Sequence, residues 1–194
     1  MTGLDFASLL RRQLNDTDKS FSDGDILDLL NLGLLELGRE LLLWSERWEF
    51  EANYEGVIAL PDRFLLPVWV KLNGERVAIK PDDEKADEFG VTFEGFEMRT
   101  AKSDPLLPPL KYEVFYRTYP QLGDLSETLP IATQALDLLI AFCALRAKER
   151  NQTSKTPQEL QLRELQYLRQ LERIRPKLRL LNAGKNLRSK LIVC

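Results

Sequence analysis

Residues 110–150 read LKYEVFYRTYPQLGDLSETLP and then IATQALDLLIAFCALRAKER. Lys111–Thr118 alternates and is rich in aromatics, which suits a strand. Tyr119-Pro120 turns the chain, and a short polar loop follows. Pro130 suits the first turn of a helix, with Thr128 or Leu129 before it. The helix is apolar over a wide face from Ile131 through Leu145. A strand is thus joined to a core helix by a loop of about ten residues, within the length usual for such connections.

Upstream, Phe6, Leu9, Leu10 and Leu14 recur at helical spacing, and Thr2 with Asp5 offers a start. Ser22 opens a second helix, with Asp25 placed to complete a capping box. Ile26 to Trp48 is dense in leucine. Asp28, Asn31, Glu36, Arg39 and Glu40 leave it only a narrow polar stripe, so most of its surface must be covered. From Phe50 to Thr118 helical periodicity gives way to prolines, glycines and aromatics. Val57–Leu60 and Val68–Leu72 read as short strands, and Val91–Met98 as a further one. Asn73-Gly74 is a hairpin signal, because a two-residue type I′ turn needs positive φ at both positions.

Downstream, Thr156-Pro157-Gln158-Glu159 combines an N-cap, a proline at the first helical position and a capping-box glutamate. The helix it opens carries Leu162, Leu165, Leu168, Leu171 and Ile174, which read as one side, with Arg163, Arg169, Arg173 and Arg175 mostly off that stripe. Pro176 predicts a kink or break, and Asn182-Ala183-Gly184 a stop. The expected fold is mainly α: a bundle of about four helices (4–15, 22–48, 130–150 and 157–182) with a small antiparallel β insertion at 50–118. Residues 1–184 form one domain in this reading, and 185–194 a basic C-terminal tail.

The chain of 194 residues has ordinary globular composition, 44% hydrophobic and 29% charged. Its net charge of −3 is unevenly spread. Residues 1–142 hold 14 Lys and Arg against 26 Asp and Glu, and residues 143–194 hold 13 against 4. An acidic body with a basic end suggests a polar partner surface at that end, though a well-solvated helix gives the same count. The N-terminus shows no basic and apolar leader pattern, and no apolar run approaches the length of a membrane span. The two cysteines, Cys143 and Cys194, form no disulfide framework, which suits a reducing compartment. Cys143 reads as core.

The sequence holds no histidine. Ser-His-Asp and Cys-His catalysis are therefore excluded, and a Cys/His zinc cluster is too. Gly90 and Gly95 fit neither phosphate-cradling glycine motif. Asp16-x-Asp18-x-Ser20 begins like a calcium loop, but Phe21 and Leu27 stand where that loop needs Gly and Glu. Asp82, Asp83, Glu84, Asp87 and Glu88 read as a solvated acidic face rather than a magnesium site. Asp124 and Glu127 are the one carboxylate pair to weigh for hydrolysis, with no motif around them. Trp44, Trp48, Trp69, Tyr112, Phe115, Tyr116 and Tyr119 could stack on nucleic acid, but packing in a small sheet suits their acidic surroundings better. No catalytic residue, cofactor or metal is expected.

Several stretches together resemble the head–tail connector adaptor (head-completion or neck adaptor) family of tailed bacteriophages. These are Phe21–Asn31 (FSDGDILDLLN), Leu60-Pro61 through Gly74, Tyr112–Leu122 (YEVFYRTYPQL) and Thr128–Pro130. The resemblance covers most of the chain, through the order and spacing of motifs that are individually weak. It implies a non-enzymatic structural virion protein, assembled in the host cytoplasm and placed in the neck. It further implies a homo-oligomeric ring of twelve copies beneath the portal protein, contacts with other neck or tail proteins, and passing dsDNA that is not bound sequence-specifically. No membrane is involved. In such proteins C-terminal segments reach into the portal, so the resemblance points to Lys185, Arg188, Lys190, Leu191, Ile192 and Val193 as portal-binding residues. An acidic body suits a channel through which DNA must slide rather than stick. The alternatives are a DNA-binding or packaging-associated protein using the basic C-terminal helix, and another neck or stopper protein.

Overall fold

Leu42 decides where the second helix ends. In the computed structural model it takes the left-handed conformation (φ 51°), and its N–H closes on the Gly38 carbonyl. The structure describes residues 1–16, 20–52, 57–80, 90–95, 97–101, 110–150 and 157–190. The chain runs α1 (Gly3–Leu14), α2 (Asp23–Leu41), then β1 (Trp44–Ala52), β2 (Val57–Ala59), β3 (Leu66–Leu72), β4 (Glu75–Ile79), β5 (Gly90–Glu94), β6 (Glu97–Ala101) and β7 (Leu110–Thr118), then α3 (Thr133–Arg150) and α4 (Pro157–Lys190). It divides into a helical unit, Met1–Leu43 with Pro120–Cys194, and a sheet unit, Trp44–Tyr119.

The expectation of a mainly α bundle with a small antiparallel insertion is overturned. The sheet has seven strands in the order β1-β7-β3-β4-β5-β6-β2, curled and mixed, beside four helices. It is not purely antiparallel, because β4 and β5 pair in parallel (Ala78 with Gly90, Ile79 with Val91). The helix expected over 22–48 stops at Leu41, and residues 44–48 belong to β1, which pairs with β7 along its whole length from Trp44–Thr118 to Ala52–Leu110. The reason is visible in the alternation. Trp48, Phe50 and Ala52 pack against the sheet core, while Arg47, Glu49 and Glu51 fall between them. Val91–Met98, read as one strand, is a β5–β6 hairpin turning at Gly95, whose φ is 57°.

Inside the sheet unit, β7 buries alternate residues: Leu110, Tyr112, Val114, Tyr116 and Thr118. The first four join Val70, Leu72, Val91 and Met98 in one core cluster. Aromatic rings extend it, with Phe50 stacked on Tyr112 at 4.9 Å and Phe64 on Tyr116 at 4.9 Å. The Asn73-Gly74 turn forms as the dipeptide predicts, with positive φ at both residues and Leu72 opposite Glu75.

In the helical unit the predicted capping box of Ser22 with Asp25 is present, and Thr2 with Asp5, read as a helix start, forms one as well. Phe6, Leu10, Ile26, Leu30, Leu34, Leu37, Leu138 and Leu139 are fully buried. Gly33 lets α2 meet α3 closely, since a Cβ there would stand 2.5 Å from a Leu139 methyl and 3.0 Å from the Cys143 sulfur. The helix expected from Pro130 begins at Thr133, because the preceding residues are held extended. Thr128 bridges Thr2, and the Leu129 N–H donates to the Met1 carbonyl. Neither Pro176 nor Gly184 ends α4, which continues to Lys190 and takes in part of the expected tail. Proline removes one backbone donor and Gly permits a left-handed stop, but neither compels the chain to leave the helix.

The loop after β7 does more than connect. Leu122, Leu125 and Leu129 are buried. The Gly3 and Leu4 N–H groups at the start of α1, which have no partner within the helix, donate to the Glu127 and Leu125 carbonyls at 3.0 and 2.7 Å. A Cβ on Gly3 would stand 2.7 Å from the Leu125 carbonyl oxygen, so the close approach requires glycine there.

Candidate interaction surface

Helix α4 turns two faces outward from its axis, and among the described residues one of them is packed. Leu160, Tyr167, Leu171 and Ile174 recur at heptad-like spacing. Tyr167 and Leu171 are buried, and Leu160 and Ile174 half-buried. Phe142 of α3 meets Tyr167 with ring centroids 5.5 Å apart. Burial pushes the Tyr167 phenol pKa up, and Glu36 and Glu40 add to the effect. Among the described residues its hydroxyl has no hydrogen-bond partner. Arg175 pairs with Glu40 and fastens α4 to α2.

The opposite face is open. Leu162, Leu165 and Leu168 are 59%, 52% and 45% exposed. The single stripe read from the sequence therefore divides: these three leucines face solvent, while Leu171 and Ile174 follow Tyr167 inward. Among the described residues Arg163, Arg169 and Arg173 form no ion pair, whereas Arg146 pairs with Glu149 at 2.7 Å and Arg150 with Asp25 at 3.7 Å. A second apolar feature lies between α2 and α3. A cavity of about 410 Å³ is lined by Asp28, Leu29, Leu32, Arg146, Glu149 and Arg150. Leu32 is 43% exposed beside it. Sequence reasoning missed both surfaces. The heptad of Leu160, Tyr167 and Ile174 was the available signal for the first.

The residues weighed for chemistry have local structural tasks. The Glu127 carboxylate accepts from the Gly123 and Asp124 N–H groups at 2.9 and 3.1 Å, and Asp124 accepts from the Ser126 N–H at 2.6 Å. Both carboxylates are thus engaged in shaping their own loop. Asp16 accepts from Ser20 and Phe21 and closes the turn before α2. Cys143 is fully buried, its thiol donates to the Leu29 carbonyl at 3.2 Å, and burial pushes its pKa far up, which suits core and not a nucleophile. The cluster Asp82 to Glu88 and the Thr156 cap lie outside the described residues. Among the described residues no group of three or more acidic or sulfur ligands could hold a metal, and no helix is long and apolar enough to cross a membrane.

The aromatics do not form an open stacking platform. Trp48, Tyr112 and Tyr116 belong to the sheet core. Trp69 is stacked on Phe115 at 5.5 Å, with the Lys71 ammonium over its ring at 4.9 Å. Of the residues expected to bind a portal, Lys185, Arg188 and Lys190 fall in the last turns of α4. Leu191, Ile192 and Val193 lie outside the described residues.

Four carboxylates have pKa values held below the usual 3.8. Asp5 accepts from the Thr2 backbone N–H and hydroxyl, and Asp25 from the Ser22 hydroxyl and N–H. Asp16 is held down by the Ser20 hydroxyl and Asp124 by the Ser126 N–H. A folded pKa below the unfolded one gives stability that is present above the unfolded value and lost as pH falls through the folded one. Urea midpoints are therefore expected to be level down to about pH 5 and to fall below about pH 4. Asp25→Asn should flatten that fall while lowering the midpoint at neutral pH. A midpoint unchanged from neutral pH to about pH 3 would show that these caps contribute nothing.

No family model matches the chain, and no curated protein matches it.

Proposed function

We propose that this chain is a structural virion protein of the phage adaptor type, one subunit of a ring that joins the portal to the tail or neck around the DNA exit channel. The observation that carries the reading is the role of residues 110–129. The motif that resembles the adaptor family is also the part that organises this fold. Its strand β7 is central to the sheet core, and its loop holds the first turn of α1 by two backbone hydrogen bonds. Support also comes from α4, a helix of 34 residues with an exposed leucine face on which Arg163, Arg169 and Arg173 have no ion-pair partner among the described residues. At about 1.5 Å per residue it is about 50 Å long, nearly twice the length of α3. Such a helix suits a protein whose neighbours complete its packing.

The test is assembly on portal protein from the genome that encodes this chain. Purified protein mixed with portal rings should add a layer of density coaxial with the portal in negative-stain images. Images that show bare portals at saturating concentration would end the proposal. Retention on duplex DNA with a steep loss of binding in salt would favour the DNA-binding alternative.

A further inference from the structure

We propose that the open face of α4 is the contact between copies of this chain, and that it seats on the α2–α3 groove of the next copy. The inference deepens the ring reading by naming the contact between copies. It is tested without any portal, so that the two can fail separately.

Two surfaces of the helical unit have complementary chemistry. On α4, Leu162, Leu165 and Leu168 stand exposed with Arg169, Arg173 and Glu172, none of which has an ion-pair partner among the described residues. On the groove, Leu29 and Leu32 supply an apolar floor, and Asp28 is a carboxylate with no ion-pair partner among the described residues. The cations of the groove are already neutralised, Arg146 by Glu149 and Arg150 by Asp25. The unpaired charge therefore sums to negative at the groove and, with Arg163, Arg169 and Arg173 against Glu164 and Glu172, to a small positive excess on α4. The whole chain repeats this polarity, with 26 acidic against 14 basic residues up to 142 and 4 against 13 after it. A surface of one sign on one element and of the other sign on another favours association of unlike faces, so each copy presents a donor and an acceptor.

The area limits the strength. The open face over residues 158–176 is about 28 Å long and about 10 Å wide, roughly a third of the about 800 Å² per partner of a standard interface. Free chains should associate weakly and in a salt-sensitive way.

Sedimentation velocity from micromolar to millimolar chain is the measurement. The weight-average sedimentation coefficient should rise with concentration and fall back in high salt. Leu165→Glu, at an exposed position that the fold does not need, should weaken association about tenfold or more, the scale of burying one leucine. Asp28→Arg should weaken it, and Asp28→Arg combined with Arg169→Asp should recover it, since the charges are exchanged rather than lost. A single monomeric species at every concentration overturns the proposal. Association that Leu165→Glu leaves unchanged overturns it too. An unrecovered double exchange, with both single variants folded by circular dichroism, rejects the pairing of these two faces.

Discussion

Leu34→Ala is expected to destabilise the helical unit by about 2–5 kcal/mol, lowering its melting temperature by roughly 10 °C or more. Leu34 has no exposed surface and lies on the buried face of α2 with Leu30, Leu37 and Leu41. The neighbouring turn of α2 is pressed against α3, since Gly33 leaves no room for a Cβ between itself and Leu139. Helices this close cannot move further together to fill a void, so the cost should fall toward the upper part of the range, where the residual cavity is large. Helical circular dichroism is the appropriate readout. All three tryptophans, Trp44, Trp48 and Trp69, lie in the sheet unit, so fluorescence reports the other half of the chain. Leu165→Ala on the exposed face of α4 is the matched control and should change stability by less than about 0.5 kcal/mol. Equal effects at Leu34 and Leu165 would contradict the burial assigned to both.

Local chemistry was legible in the sequence wherever it acts over a few residues. Thr2 with Asp5, Ser22 with Asp25 and Asn73-Gly74 each fix their own turn, and each forms. Strand β7 was legible from its alternation. Strand β1 was not, because Trp44 and Trp48 satisfy a helical spacing as well as a strand one, and they follow a leucine-rich helix without a proline or glycine between. What selects the strand is pairing with β7, whose partner residues lie 58 to 74 positions away, and no local window contains that. The size of the sheet is under-read for the same reason: helical spacing draws β1 into the helix, and β5 and β6 read as one strand over Val91–Met98, because the pairing that separates them spans a turn that periodicity does not mark. The error in fold class follows from there: the helices announce themselves individually and the sheet only collectively. On α4 the five residues read as one side are divided by the fold for a related reason. Leucine at 162, 165 and 168 is a stronger hydrophobic signal than tyrosine at 167, but Tyr167 has the ring that reaches Phe142. A leucine count therefore marked the face that the fold leaves open.

Asn31→Leu should cost about 2–4 kcal/mol, although leucine is the better helix former and the substitution makes α2 more apolar. The sequence presents Asn31 as one of a narrow stripe of polar residues. In the fold its side-chain amide donates to the Leu122 carbonyl at 3.0 Å, and its carbonyl oxygen accepts from the Leu122 N–H at 2.9 Å. One side chain thereby satisfies both backbone groups of a residue 91 positions away, and Leu122 itself is buried. Leucine would leave a buried N–H and a buried carbonyl without partners, each at about 1–3 kcal/mol. Asn31→Asp separates the two bonds. The carboxylate can still accept from the Leu122 N–H but meets the Leu122 carbonyl with no donor, so it should recover part of the loss near pH 3, where it is protonated, and less at neutral pH. Hydrogen exchange at the Leu122 and Gly3 amides is the sharper measurement, because the loop that Asn31 holds is the loop that supplies carbonyls to the start of α1. Release of Leu122 should speed exchange at both amides in Asn31→Leu by more than it speeds amides in the middle of α3, which should follow only the global loss of stability. If Gly3 kept its protection while Leu122 lost it, the loop would not act as one body, and the fastening of α1 would have to rest on Leu125 and Glu127 alone.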